Sequence, residues 1–408
     1  MSILSQSLNI LLWRQWSPPY QFPATFSVLS THSIGGTDSQ LLWHARNLVD
    51  MGHRVQVLGS TRHDIIDEEV EFIGSSDRSE QVHLIQNNRI RPPDVVFLEG
   101  AFDAAEFFRR SYPSAKIVHV GQNIDRIGHQ AAFEMEAFID IYCFVSTGHL
   151  AKYSVRHPHL RQKFLLLRNA VPWKRIYETM DKAVPSNRVV WIGSWGKKGL
   201  RQWAEVMEQI LKEEPNCDWT LLGPSYGSQA TEFPSYLFAG LHLPKERVAI
   251  KDLPMTHMAA EISSARVVLV SLGNETCGIS ALDAHAVGRP VLSGNDIVYK
   301  YTNPEGCGIR VTTFTEAYDA LSFLMNNPEL CNQLGSLGQR YIRANLTEQH
   351  QSDDLCNILS YLSVQSLLKP HIYPAPSDLR DSWSEHTDRL KRKVLQVSAR
   401  IGSNMRLA

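Results

Sequence analysis

No apolar run in this sequence approaches the roughly 18 residues that a membrane-spanning helix requires, and no internal repeat at a solenoid period is visible. The sequence therefore predicts neither a membrane-spanning protein nor a repeat array. Net charge is also nearly absent, −1 over 408 residues, which gives no support to nucleic-acid binding as the main task. Paired cysteines are missing: Cys143, Cys217, Cys277, Cys307, Cys331 and Cys356 are scattered with no Cys-x-x-Cys. That spacing excludes a zinc knuckle or a disulfide framework and reads as reduced, mostly buried thiols of a cytoplasmic protein. The mildly apolar start through Trp13 lacks a basic opening and a small-residue cleavage site, so no signal peptide is expected. No metal-ligand cluster such as Asp-x-Asp stands at a strand end.

What is present is a globular composition, 43% hydrophobic and 20% charged. One stretch organises it. Arg266 to Ser271 is an apolar, β-branched strand, followed by a short polar loop. Gly278 to Val287 then reads as a helix, closed by Gly288 and followed by Pro290. Such a strand–loop–helix points backbone N–H groups and a positive helix end at one spot. Glu275 lies just before the helix and Asp283 inside it. The pattern suits phosphates on the helix N-terminus and sugar hydroxyls on the carboxylates. On periodicity alone it is equally an ordinary strand–helix unit with a solvated Glu and a surface Asp.

Earlier in the chain, Leu8 to Trp13 reads as a strand, Arg14 to Ile34 as a long loop (with a strand at Phe26 to Ser30 as the alternative), and Thr37 to Met51 as a helix after Gly35-Gly36. Arg54 to Leu58 completes a βαβ unit. Glycines without a Cβ let a phosphate approach the backbone there, although a tight turn needs them equally. Asp94–Leu98, Lys116–Val120 and Ile141–Ser146 are further strands with near-continuous apolar character, as parallel sheets show. Residues 173–187 read as a polar linker. A second strand–helix series follows, with strands at Arg188–Gly193, Asp218–Gly223, Val248–Ile250, Pro290–Leu292 and Gly308–Val311. Its first loop, Ser194 to Gly199, carries Lys197 and Lys198, which also read as a solvated basic pair before a helix. Met255–Ser264, Phe314–Met325, Glu329–Asn345 and Thr347–Val364 are expected helices. After Asp388 the tail is basic, with Leu390, Val394, Val397 and Ile401 at helical spacing. It reads as a helix packing on protein, with an anionic membrane surface as the alternative.

The run from Ser271 to Leu292 resembles the carboxylate-x7-carboxylate signature of family 4 retaining glycosyltransferases. Glu275, Gly278, Ile279, Leu282, Ala284, Gly288, Pro290 and Val291 match in register. Cys277 stands where Phe is usual and Asp283 where a second Glu is usual. The Gly35-Gly36 turn, the Lys198-Gly199 loop and the Arg168 to Val171 crossing, with Asn169, also resemble that family, whereas Ser194 replaces its Arg.

The resemblance implies an α/β GT-B fold, two Rossmann-like domains facing each other across a cleft. We expect residues 1–172 to form the acceptor-side domain and 173–345 the nucleotide-sugar domain. Residues 346–370 are then a closing helix and 371–408 the basic tail. The implied activity is transfer of a sugar from a nucleotide sugar to an acceptor hydroxyl with retention of configuration. A non-catalytic homologue that binds nucleotide or a partner, and a sugar-nucleotide epimerase, are the alternatives. Glu275 would address the donor sugar and Asp283 the ribose hydroxyls. Gly35, Gly36, Lys197, Lys198, Gly278 and Ile279 would hold the diphosphate side. The family's donor-sugar His aligns with Gln122, so Gln122, Asn123 and His119 are candidate sugar contacts. The resemblance implies no metal and no cofactor beyond the nucleotide-diphosphate sugar used as substrate. Glycans, lipid-linked and small-molecule acceptors stay open, as does membrane contact at the inner face or self-association through the tail.

Overall fold

A computed structural model describes residues 7–14, 25–31, 34–75, 77–99, 104–122, 135–180, 183–193, 198–223, 238–273 and 275–363. In the first lobe, strands β1 (Asn9–Arg14), β2 (Arg54–Leu58), β3 (Ile65–Asp67), β4 (Val70–Ile73), β5 (Val95–Glu99), β6 (Lys116–Gly121), β7 (Ile141–Phe144) and β8 (Phe164–Leu166) form one sheet. Its order is β3-β4-β2-β1-β5-β6-β7-β8, and only β3 runs antiparallel to its neighbour. In the second lobe, β9 (Arg188–Ile192), β10 (Asp218–Leu222), β11 (Val248–Lys251), β12 (Val267–Leu269), β13 (Val291–Gly294) and β14 (Gly308–Val311) form a wholly parallel sheet ordered β11-β10-β9-β12-β13-β14. The strand order reverses beside β1 in the first sheet and beside β9 in the second. Open α/β sheets bind ligands at such switch points, outside the strand carboxyl ends.

Helices cover both faces. In the first lobe α1 (Gly36–Asp50) lies on one face, and α2 (Arg78–Gln86), α3 (Ala105–Ser111) and α4 (Thr147–Arg156) on the other. In the second, α5 (Leu200–Glu213) takes one face, and α6 (Met255–Ser263) and α7 (Ile279–Ala286) the opposite one. The short α8 (Tyr299–Thr302) precedes β14, and α9 (Phe314–Met325), α10 (Pro328–Asn345) and α11 (Glu348–Ser363) complete the described chain. The buried side chains of α1, α6, α7 and α11 join into one apolar core that spans both lobes. α10 crosses α7 closely because Gly335 and Gly338 carry no side chain. A Cβ at Gly335 would stand 2.0 Å from the Gly288 carbonyl oxygen, and one at Gly338 2.3 Å from His285 Nδ1.

α11 returns to the first lobe. Asn47 Nδ2 donates to Gln351 Oε1 at 2.9 Å, and Gln351 Nε2 donates to Gln40 Oε1 at 3.1 Å and to the Arg168 carbonyl at 3.0 Å. These buried amides satisfy one another, as buried polar groups must.

Three expectations need correction. Phe26–Ser30 is a 3-10 helix rather than a strand, because Phe26 and Leu29 turn to the same side and enter the core shared with α6. The segment read as a polar linker opens with a one-turn π-helix, Trp173–Tyr177, whose Trp173 and Tyr177 are buried. Ile141–Ser146 ends as a strand at Phe144, and the Ser146 side chain caps α4 by accepting from the His149 N–H. The tail from 371 onward, with Ser194, Lys197 and Asn123, lies outside the described residues.

Candidate active site

The loop after β9 and the loop after β12 meet at the second sheet's switch point. Gly199, at φ +74°, turns the first loop into α5 and sets Lys198 beside it. Gly278, at φ +71°, does the same for the second loop and α7. A glycine is doubly required at Gly278, since a Cβ there would also stand 2.9 Å from Tyr299 Cε1. Across this junction Lys198 Nζ and Glu275 Oε1 are in direct contact as an ion pair. Glu275 is nearly buried, and Lys198 keeps a third of its side chain exposed. Among the described residues Lys198 is the only hydrogen-bonding partner of the Glu275 carboxylate.

The first lobe brings its own helix start to the same place. Gly35 caps α1, and a Cβ on Gly36 would lie 2.9 Å from Ile279 Cδ1. The first turns of α1 and α7 therefore face each other. Neither has a side-chain N-cap bond, and a helix start is where backbone N–H groups and the positive dipole end can meet an anion. Behind α1, the Arg14 guanidinium at the end of β1 is ion-paired with Asp38.

The loop between Glu275 and Gly278 is fastened to the first lobe. Thr276 Oγ1 donates to the Gln122 carbonyl at 2.8 Å, and Ser146 Oγ donates to the Thr276 carbonyl at 2.6 Å. The Gln122 carboxamide is itself engaged. Its Nε2 lies 3.4 Å from both Glu99 Oε2 and Asn169 Oδ1, and its Oε1 accepts from Asn169 Nδ2 at 3.0 Å. Glu99 meets His44 Nδ1 at 2.8 Å, with both side chains fully buried.

Asp283 sits on α7, almost wholly buried, and the Tyr177 hydroxyl donates to its Oδ1 at 2.6 Å. Burial pushes the Asp283 carboxyl up to about 6, and the Tyr177 bond offsets part of that rise. His119 is not brought to this cluster. It alternates with Val118 and Val120, which belong to the α1 face, so its ring points to the other side of the sheet, edge-on to Tyr142. Burial lowers its pKa to about 4, and it stands there as a neutral core histidine.

Of the residues singled out from sequence, Gly36, Lys198, Glu275, Gly278 and Ile279 converge. Asp283 lies on the same short helix, Gln122 reaches the cluster through its backbone, and His119 does not. Sequence reasoning missed Tyr177, His44 and Glu99. Glu99 carried one usable signal, a carboxylate ending a strand of apolar residues. Among the described residues no group of three or more His, Cys, Asp or Glu side chains could hold a metal ion. No described helix is long and apolar enough to cross a membrane.

Two Rossmann-like lobes with their strand carboxyl ends at a common site define the GT-B architecture. No family model matches the sequence, and a search of curated proteins returns no match. Solved structures do match. Sucrose-phosphate synthase from Thermosynechococcus elongatus aligns with a TM-score of 0.69 at 16% identity, covering 88% of this chain and 100% of that one. HepE from Anabaena, in complex with UDP-glucose, aligns with a TM-score of 0.65 at 14% identity over 86% and 99% of the two chains. An α,α-trehalose-phosphate synthase (UDP-forming) from Burkholderia vietnamiensis aligns with a TM-score of 0.64 at 10% identity over 89% and 99%. At these identities the likeness establishes the fold.

Proposed function

We propose that this chain is a retaining glycosyltransferase of the family 4 type, moving a hexose from a nucleoside diphosphate sugar to an acceptor hydroxyl. The observation that carries this reading is the Lys198–Glu275 pair, standing beside the facing first turns of α1 and α7. That spot offers a cation, a carboxylate and two sets of backbone donors. A diphosphate needs the cation and the donors, and a sugar hydroxyl needs the carboxylate. The fold shared with two synthases of phosphorylated sugars and with a UDP-glucose complex supports it.

In this reading the diphosphate arrives at the α1 and α7 N-termini and draws Lys198 from Glu275. Glu275, relieved of its cation, accepts from hydroxyls of the donor sugar. As the glycosidic bond to the diphosphate breaks, negative charge grows on the leaving oxygen. Fixed donors and Lys198 stabilise that charge without reorganising, which is the main source of rate. We assign no metal and no covalent nucleophile. The acceptor is a hydroxyl on a glycan, a lipid-linked sugar or a small molecule, and the six free cysteines support action in a reducing compartment such as the cytoplasm.

One observation favours a second reading, a non-catalytic nucleotide-binding homologue: the Gln122 carboxamide, aligned with the family's donor-sugar His, is committed to Glu99 and Asn169. A panel of uridine, guanosine and adenosine diphosphate sugars with candidate acceptors separates the two. Release of nucleoside diphosphate with a new glycoside of unchanged anomeric configuration, read by NMR, is expected. Binding without turnover across the panel would support the second reading, and acceptor-independent isomerisation of the sugar would point to an epimerase.

A further inference from the structure

Thr276 follows Glu275 in the second lobe, yet its side chain and its carbonyl are both bonded to the first. Its Oγ1 donates to the Gln122 carbonyl at 2.8 Å, and its own carbonyl accepts from Ser146 Oγ at 2.6 Å. All three residues are buried. Both first-lobe partners are fixed by further bonds. Ser146 Oγ accepts from the His149 N–H at 3.1 Å as the cap of α4, and its single hydroxyl hydrogen goes to Thr276. Gln122 Oε1 accepts from Asn169 Nδ2 at 3.0 Å, and the Gln122 N–H donates to the Val120 carbonyl at 3.1 Å. The lobes also meet closely beside this pair: a Cβ on Gly148 of α4 would stand 2.8 Å from Tyr301 Cδ2 of α8.

Two bonds to one residue restrain it in two ways. The carbonyl held by Ser146 sets the plane of the Thr276–Cys277 peptide. The bond from Oγ1 holds χ1 of a β-branched side chain that has few alternatives. Glu275 is the residue directly before. Among the described residues its carboxylate has Lys198 as its only hydrogen-bonding partner. In the reaction proposed above, Lys198 leaves Glu275 for the diphosphate. From that moment the carboxylate keeps its place through its backbone alone, and the nearest described bonds to that backbone are the two at Thr276.

We propose that Thr276 is a positioning residue, which holds Glu275 toward the donor sugar by clasping the Gln122 carbonyl and the Ser146 hydroxyl of the first lobe. The inference rests on the transferase reading above. On this account the Gln122 carboxamide serves as an anchor, and the backbone carbonyl it steadies is the atom that the donor loop uses. Misplacing a reacting group by an ångström costs a rate far more than it costs binding elsewhere in the site. The diphosphate side, with Lys198 and the two helix starts, does not depend on the Thr276 hydroxyl.

The test compares the wild-type full chain with Thr276→Val, which keeps the branched shape without the hydroxyl, and Thr276→Ser, which keeps the hydroxyl. Turnover is measured with the donor and acceptor that the panel above selects, and affinity by calorimetric titration with the nucleoside diphosphate released. Valine should lower kcat by about ten- to hundredfold. The diphosphate dissociation constant should stay within about threefold of wild type, and serine should bring kcat back to within about threefold. Wild-type kcat in the valine variant overturns the proposal. So does a serine variant as slow as valine, which would make the methyl group and its packing the cause. Nucleotide affinity that falls in step with kcat also overturns it, since the donor loop as a whole would then be damaged. Should the valine variant fail to fold, Thr276→Ala replaces it, because alanine and serine differ by the hydroxyl alone. A wild type that turns over no donor sinks the transferase reading and this proposal together, whereas wild-type turnover with an unimpaired valine variant sinks only the role of Thr276.

Discussion

Arg168 and Asp354 form a two-pronged ion pair, Nε to Oδ2 at 2.6 Å and Nη2 to Oδ1 at 2.8 Å, and the Arg168 backbone N–H adds a third bond to Oδ2 at 3.0 Å. The carboxylate is fully buried and belongs to α11, whereas Arg168 ends the first lobe and keeps a fifth of its side chain exposed. Burial raises the Asp354 pKa even against the pull of Arg168, so the three bonds are what hold the charge there. Asp354→Ala should destabilise the protein by about 2–4 kcal/mol, toward the lower end because Arg168 can rehydrate. Urea unfolding measures it, and a loss under about 0.5 kcal/mol would mean that α11 is held by its apolar face and the Gln351 and Glu348 bonds without help from this ion pair.

Lys198→Ala should weaken nucleoside diphosphate binding by about 1.5–3 kcal/mol, the worth of one hydrogen bond to a charged group. Lys198→Arg should recover part of it, since the charge remains while the shape changes. An unchanged dissociation constant, with an unchanged melting temperature, removes Lys198 from the site.

Asp283 titrates near 6 in the folded protein against 3.8 for an ordinary aspartate. Between those values the folded state binds more protons than the unfolded one, so this group lowers stability as pH rises from about 4 to 6. At neutral pH the cost is on the order of 2–3 kcal/mol. Asparagine cannot ionise, yet its Oδ1 accepts the same bond from Tyr177. Asp283→Asn should therefore be the more stable protein at pH 7.5 and lose that advantage near pH 4. Parallel stability–pH curves for the two proteins would contradict the assignment.

His149 behaves in the opposite sense. Its ring is packed edge-on against Phe144 at 5.0 Å and Tyr153 at 5.2 Å, and neither ring nitrogen has a hydrogen-bond partner among the described residues. Burial first, then the charges of Lys152 and His119, lowers its pKa to about 3 from 6.5. The unfolded chain takes up the proton first as pH falls, so the stability this neutral ring contributes is complete above about 6.5 and lost toward 3. His149→Phe should match wild type at pH 7.5 and exceed it by about 2 kcal/mol at pH 5. Equal acid sensitivity would place the charge-sensitive site elsewhere, with His119 and His285, each near 4, the next to substitute.

Apart from β3, β4 and β8, the strands of both sheets were legible in the sequence because strands buried on both faces read as unbroken apolar runs, as in Val95–Glu99 or Val189–Ile192. Lys198, Glu275 and Gly278 were legible because loop and helix start are local, and their spacing survives folding. The β3–β4 hairpin was not: three and four residues flanking Glu68-Glu69 carry too little pattern to count. Tyr177 was hidden for a different reason. Its segment is polar along the chain, and its burial depends on Asp283 and Glu348, more than 100 positions away. His44 and Glu99 were read as members of a helix and a strand border, and only the crossing of α1 over β5 makes them a pair.

Since α11 completes the first lobe only after the second has been threaded through, the second lobe is topologically an insertion. A ribosome making this chain at about 5–20 residues per second exposes the first sheet long before its last covering helix exists. During that interval the α1 side of the sheet lacks Leu355, Ile358, Leu359 and Leu362, and the amides of Gln40 and Asn47 lack Gln351. The second lobe, continuous from β9 to α10, has every strand of its sheet in hand by then. It is complete while the first lobe still waits for its last helix.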